Sequence, residues 1–364
     1  MNTVQGMILT PEGWVRGRLR HTASIHAIEP DPIAPGNRFV LPGFVDLHVH
    51  GGGGADTMGG PDALHAMAAF HARHGTTALL PTTVTAPADA LRQALCGIVE
   101  AASRPQPGAA RIMGAHLEGP FINPTMLGAQ PPFAIPPDLA LAEDLCRIGP
   151  IRVATIAPEI DPDGALLACL IARGVRVQLG HTACTYEQAR LALGRGASGF
   201  THLFNAMSPL QHRNPGAAGC ALAHAEHAEI IPDLLHVAPG AILAALRAIP
   251  HLYAVTDAVS ATGMPDGLYR LGTHRIHKYG SAACLEDGTL AGSVLTMDQA
   301  LRNLLNLGLT LAEASARVSA IPAAYAGFIG RGQLTPGAAA DCVTVNAAGD
   351  VLAVLAEGVS PPPR

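Results

Sequence analysis

A chain of 364 residues suits one large barrel with a small appendage, and 49% apolar against 14% charged residues leaves ample material for a buried core. Aromatic residues make up only 4%, so that core must rest on Ala, Leu, Val and Ile. A formal net charge of −5, with no cluster of Lys and Arg to track a phosphate backbone, excludes nucleic acid as a partner.

The N-terminal "MNTVQGMILTPEGWV" has no basic segment ahead of an apolar run and does not read as a signal peptide. No uncharged apolar stretch reaches about 18 residues, so no membrane span or membrane partner is expected. Seven scattered cysteines, never spaced C-x-x-C, argue against a disulfide framework or a thiolate zinc knuckle and point to the cytoplasm. Residues 1 to about 40 alternate in short runs broken by "PEGW" and "EPDPIAPGN", which suits small strands and turns. From Phe39 the texture changes to short apolar runs separated by Ala/Leu-rich segments. The strands read as "FVDLHVH", "TALLPTT", "RIMGAHLEG", "RVATIAPE", "VRVQLGH", "GFTHLFN" and "LYAVTDA", with helices at 61–74 (stopped by Gly75), 86–103 and 185–194.

Continuous apolar strands between helices imply a parallel sheet covered on both faces. Seven or eight such units fit a closed (β/α)8 TIM-like barrel better than an open doubly wound sheet. After about Gly332 the strand texture returns. The expectation is therefore an α/β fold in two parts. Residues 1–40 and 333–364 form a small β-sandwich domain, and 41–332 form the barrel.

The polar residues of interest stand at the carboxyl ends of the strands: His48, His50, Glu118, His181, His202 and Asp257. In a parallel barrel these ends share one face, where loops build the active site. Each has a structural alternative. H-x-H means little in a chain with 17 histidines, Glu118 could cap a helix, and His181 could orient a turn with Thr182 or Thr185 as N-cap. Asp257 resists such a reading, since a carboxylate ending an apolar strand is costly to bury unpaired. Recurrence at the same relative place in five or six units points to a divalent metal site. Its N/O ligands suit Zn, Fe, Co or Mn without choosing among them. A metal so held activates water near neutral pH and polarises a carbonyl, while a neighbouring carboxylate moves the proton. The constellation reads as hydrolysis of a C–N bond.

The segments "LPGFVDLHVHG", "HGTTALLPTTVT", "GAHLEGPFIN", "LGHTACTYEQA", "THLFNAMSPLQHRNPG", "AVTDAVSATG" and "GTLAGSVLTMDQALRNL" run through nearly the whole chain. They resemble the amidohydrolase superfamily and, within it, the N-acetylglucosamine-6-phosphate deacetylase family. The resemblance implies that Glu118, His181 and His202 hold the metal common to that family. It implies that His48 and His50 can hold a second ion with Glu118 bridging, so one or two ions are expected. Asp257 matches the catalytic acid/base and stands beside the metal ligands. Substrate contacts fall on Ala129, Gln130, Asn205, Ala206, Asp233, His236, Leu290, Ala291 and Gly292. Arg213 matches a phosphate-binding arginine that reaches across a homodimer into the neighbouring site. Two positions depart from the pattern. Gln130 stands where a histidine is usual, and Leu234 replaces a glycine in "PDLLH". Both concern the small-molecule amino-sugar substrate, which could then be N-acetylgalactosamine 6-phosphate or an unphosphorylated N-acetylhexosamine. A non-catalytic metal-binding barrel is the rival of another class.

Overall fold

The computed structural model describes residues 1–363; Arg364, the last residue of the expected C-terminal segment, lies outside the described residues. Eight parallel strands form the barrel: Phe44–Val49, Thr76–Thr83, Ala115–Glu118, Ile151–Ile156, Arg176–Leu179, Gly199–Phe200, His227–Ile230 and His251–Ala254. The first six pair in sequence order, and the seventh pairs the eighth. Two backbone bonds bridge the remaining gaps. Leu203 N–H donates to the Glu229 carbonyl, and Asp257 N–H donates to the His48 carbonyl, joining the end of the ring to its beginning. The architecture is the expected TIM-like barrel.

Helices cover the outside because their apolar stripes need the sheet. The helices expected at 61–74, 86–103 and 185–194 are found at Pro61–Arg73, Ala88–Ser103 and Tyr186–Gly194. Thr185 opens the last of these in a reciprocal capping box with Gln188, satisfying two end groups of the backbone at once. Among the described residues, no helix is long and apolar enough to cross a membrane. All seven cysteines are unpaired.

Both ends of the chain meet in one six-stranded sheet. Phe39–Pro42 lies between Asn2–Thr10, which it pairs in parallel, and Cys342–Val345, which it pairs antiparallel. Ile8, Leu19, Ile25, Val40, Leu334 and Cys342 form the apolar side of this sheet. Two elements escape the sequence reading. The barrel strand His227–Ile230 is short and half polar, and an antiparallel sheet of Gly267–Leu271, His274–Tyr279 and Ala282–Cys284 is inserted after the eighth strand.

The barrel interior is not purely apolar. From His116, hydrogen bonds run to the Thr155 hydroxyl (2.8 Å), on to Thr201 (2.7 Å) and to the Gln178 carbonyl (2.9 Å). Gln178 then donates to the Tyr253 hydroxyl (2.6 Å), which faces Glu229 at 3.4 Å. Every member is buried. Such a network persists only where its groups are partnered, and it fixes the side chains lying directly beneath the strand ends.

Candidate metal centre

The strand ends bring His48, His50, Glu118, His181, His202 and Asp257 together at the floor of one cavity of about 370 Å³. His48 lies wholly beneath it, and the other five line it. Glu118 Oε1, His181 Nε2 and His202 Nε2 form a triangle with every edge 3.1 Å. His48 Nε2, His50 Nε2 and Asp257 Oδ1 form another, with edges of 3.2, 3.3 and 3.5 Å. The second oxygen of Glu118 stands over this latter triangle, 3.1 Å from His50 and 3.4 Å from His48. Ligand bonds of about 2.0–2.2 Å in a tetrahedron give edges of about 3.3–3.6 Å, close to those of both triangles, so each can close on a divalent ion.

The protons settle what these atoms offer. His181 Nδ1 faces the Met126 carbonyl (2.9 Å), His50 Nδ1 the Thr82 carbonyl (3.0 Å), and His48 Nδ1 the Glu229 carboxylate (2.9 Å). Each Nδ1 must donate, so each neutral ring turns an Nε2 lone pair inward. Lone pairs and carboxylate oxygens thus converge with little but each other to bind. A cation, or bound protons in its stead, is what such a cluster requires. Without an ion, burial pushes the His50 imidazole down, but the hydrogen bonds it donates to the Asp257 and Glu118 carboxylates, with their charges, outweigh it and hold its pKa at about 9. Burial would raise the Asp257 carboxyl; the charge of His48 and the hydrogen bond and charge of His50 outweigh that and hold it down at about 2.

The loops that deliver these groups are strained. His181, His202, Phe204, Ala206, Leu234 and Asp257 all take left-handed backbone (φ +47°, +31°, +80°, +46°, +67° and +49°). For non-glycine residues this costs about 1 kcal/mol or more each, and it clusters where structure over-determines it. The glycines after His50 have the opposite role of letting backbones touch. A Cβ on Gly51 would lie 2.5 Å from the Ala55 carbonyl oxygen, and one on Gly52 would lie 2.6 Å from His71 Nε2.

His71 holds that glycine run by donating from Nε2 to the Gly51 carbonyl (2.9 Å). It is fully buried, and its Nδ1 has no partner among the described residues. Burial pushes its pKa down to about 4. With the folded value below the ordinary 6.5, its contribution to stability is intact above pH 6.5 and is lost as pH falls from 6.5 toward 4, up to about 3 kcal/mol. His71→Gln keeps a donor without the titration. Thermal melts from pH 7 to 4.5 should therefore show a shallower decline in the variant; identical slopes would remove His71 as the cause.

Of the expected substrate contacts, Ala129, Gln130, Asn205, Ala206, His236, Leu290 and Gly292 line the cavity. Asp233 and Ala291 stand behind it. Asp233 accepts from the His236 ring (2.6 Å) and from the backbone of Leu235 and His236, and so aims the ring. Burial lowers the His236 pKa, but the hydrogen bond and charge of Asp233 carry it above its ordinary value. Gln130 is already engaged: its amide donates to Glu118 Oε2 (2.5 Å) and its carbonyl accepts from Thr85 N–H (2.6 Å). It clamps the central carboxylate as well as lining the wall. Leu234 does not line the cavity; its side chain packs on the barrel core. Arg213 is exposed on the loop between Met207 and Gly216, outside the cavity of its own chain. Leu271, from the inserted sheet, adds a wall that the sequence did not indicate. Glu229 and His116, on strands beneath the site, were also missed. His116 is buried and burial, with His48 beside it, pushes its pKa down to about 4.

The profile of the amidohydrolase family matches residues 39–360. The chain is 38% identical to the N-acetylgalactosamine-6-phosphate deacetylase of Escherichia coli O157:H7, over 96% of each chain. It is 38% identical to the N-acetylglucosamine-6-phosphate deacetylase of Lysinibacillus sphaericus, over 92% of this chain and 88% of that one. Among solved structures, a variant of the N-acetyl-D-glucosamine-6-phosphate deacetylase of Mycobacterium smegmatis, in complex with N-acetyl-D-glucosamine-6-phosphate, superposes with a TM-score of 0.92 at 33% identity, covering 99% of both chains.

Proposed function

The chain belongs to the amidohydrolase family, and from that premise we propose which bond it cuts and which of its groups do the work. The enzyme is a metal-dependent hydrolase that removes the acetyl group from N-acetyl-D-glucosamine 6-phosphate, giving glucosamine 6-phosphate and acetate. The observation that carries the chemistry is the pair of acceptor triangles sharing Glu118 at the floor of the cavity.

Two divalent ions are assigned, one to Glu118, His181 and His202 and one to His48, His50 and Asp257, with Glu118 reaching both. Zn, Fe, Co and Mn all suit this N/O set. A bound ion supplies an activated water at neutral pH and a Lewis acid for the carbonyl oxygen. The protein's own groups do the rest. Asp257, ionised at neutral pH, accepts the proton of the attacking water and delivers it to the amine as the C–N bond breaks. His236, held by Asp233, presents its other nitrogen to the sugar. Ala129, Gln130, Asn205, Ala206, Leu290 and Gly292 shape the wall that orients it, with Ala291 behind.

Arg213 is assigned to the phosphate of a substrate bound in a second copy of the chain, since it is exposed and lies off its own cavity. That makes the working form a homodimer. Seven unpaired cysteines suit a reducing cytoplasm.

A second reading is favoured by Gln130 and by the relative that acts on the galactosamine epimer. Comparing kcat/KM for the two epimeric 6-phosphates and for plain N-acetylglucosamine decides between them. The glucosamine 6-phosphate derivative should lead, and loss of the phosphate should cost roughly 10–100-fold, as for a charge-assisted contact. A preference for the galacto epimer would move the substrate while leaving the chemistry, and a preference for the plain sugar would overturn the role of Arg213.

A further inference from the structure

Glu229 faces away from the cavity, yet it touches both triangles. Its Oε2 accepts the Nδ1–H of His48 at 2.9 Å and the backbone N–H of His202 at 3.2 Å. Among the described residues its Oε1 receives only the Tyr253 hydroxyl, at 3.4 Å. The carboxylate is fully buried, and no Lys or Arg pairs with it among the described residues. A buried carboxylate so placed needs a cationic partner. His116 does not provide one, because its Nδ1 lies 4.0 Å away and donates instead to the Leu47 carbonyl at 3.0 Å. For the same reason His48, His116 and Glu229 do not make an ion site of their own: the Nδ1 of each histidine carries a proton that it donates, to Glu229 and to Leu47, and so offers no lone pair.

The remaining partner is His48, whose opposite nitrogen belongs to the second triangle. We propose that Glu229 is a positioning residue for the metal centre. By holding His48 in the tautomer with its Nε2 lone pair exposed, and by making that ring a stronger donor, it renders the His48–His50–Asp257 position able to hold an ion. Through the same oxygen it fixes the strained backbone at His202, so one carboxylate registers a ligand of each position against the other. The negative charge lies in the layer behind the ligands, where an ion on the far side of the imidazole balances it. This inference rests on the two-ion reading above.

The test strips the protein with chelator and titrates it with Zn²⁺ by calorimetry and with Co²⁺ by visible absorption. The wild type should take two equivalents. Glu229→Gln, close in shape but without the charge, should bind the weaker equivalent roughly 10–100-fold less tightly. The equivalent on Glu118, His181 and His202 should change far less. His48→Asn should lose the same equivalent, and adding Glu229→Gln to it should cost nothing further. Tyr253→Phe, which removes the other side-chain partner of Glu229, should keep both equivalents. If Glu229→Gln does not fold, Glu229→Asp lengthens the contact to His48 with the charge retained, and the same equivalent should weaken. Two equivalents bound equally well in the wild type and in a Glu229 variant would overturn the role of Glu229 and leave the two-ion reading standing. A wild type that takes a single equivalent would overturn both.

Discussion

Asp257→Asn should turn over N-acetylglucosamine 6-phosphate about 10²–10⁴-fold more slowly than the parent enzyme, with KM little changed. The expectation follows from what the substitution removes and what it leaves. An amide oxygen can still sit where Asp257 Oδ1 completes the triangle with His48 and His50. It cannot accept the water's proton or return one to the amine. An ion held by Glu118, His181 and His202, as proposed, would contact no atom that has changed, so elemental analysis should still find it at full occupancy. A kcat within tenfold of wild type would sink the assignment of Asp257 as the proton carrier. A low kcat accompanied by loss of that ion would show instead that the substitution had disturbed the floor of the site.

Glu118→Gln should be harsher still, because both oxygens of this one carboxylate are committed. Oε1 faces His181 and His202, and Oε2 faces His50, His48 and the Gln130 amide. Whichever way a glutamine side chain turns, its NH₂ group replaces an acceptor in one triangle, or meets the Gln130 amide donor against donor. Metal content should fall well below one ion per chain, and kcat/KM by about 10⁴-fold or more, since both water activation and carbonyl polarisation go with the ion. Full metal loading in this variant would show that the ions are held without a shared carboxylate, and the two-triangle arrangement would be wrong. Without an ion, burial would raise the Glu118 carboxyl, but the charge of His48 and the hydrogen bonds and charge of its other histidine neighbours hold it well below its ordinary value, so the ion-free variant should also lose that stabilisation near neutral pH.

The barrel was legible because its strands are continuous apolar runs, as a sheet buried on both faces demands. The candidate ligand positions were legible because each ends such a run. The strand His227–Ile230 was not, because two of its four residues are polar: His227 at the edge and Glu229 in the interior. A residue that serves the centre from beneath breaks the apolar pattern used to find strands, so Glu229 hid both its strand and itself. His116 was overlooked for a related reason. It precedes Glu118 by two positions and shares its side of the strand, yet it points below the site to Thr155. The insert from Gly267 to Cys284 carries charged and turn-forming residues without a helical period, so nothing marked it as the source of Leu271 in the wall. Gln130 was legible as a residue of the site. Its bond to Glu118, in place of one to the sugar alone, needed the third dimension.

The left-handed residues around the cavity have a consequence for anyone selecting heat-resistant forms of this enzyme. Substitutions to glycine at His181, His202 and Asp257 would relax the chain and destroy the centre in the same step, so a screen for thermal tolerance alone would enrich inactive clones. Leu234, like Phe204, is an exception, because it bears the same conformation but lines no part of the cavity. There the relief given by glycine competes only with the lost packing of one half-buried leucine. Of the strained positions around the cavity, it is one where rigidity can be tuned without touching the groups that bind or react.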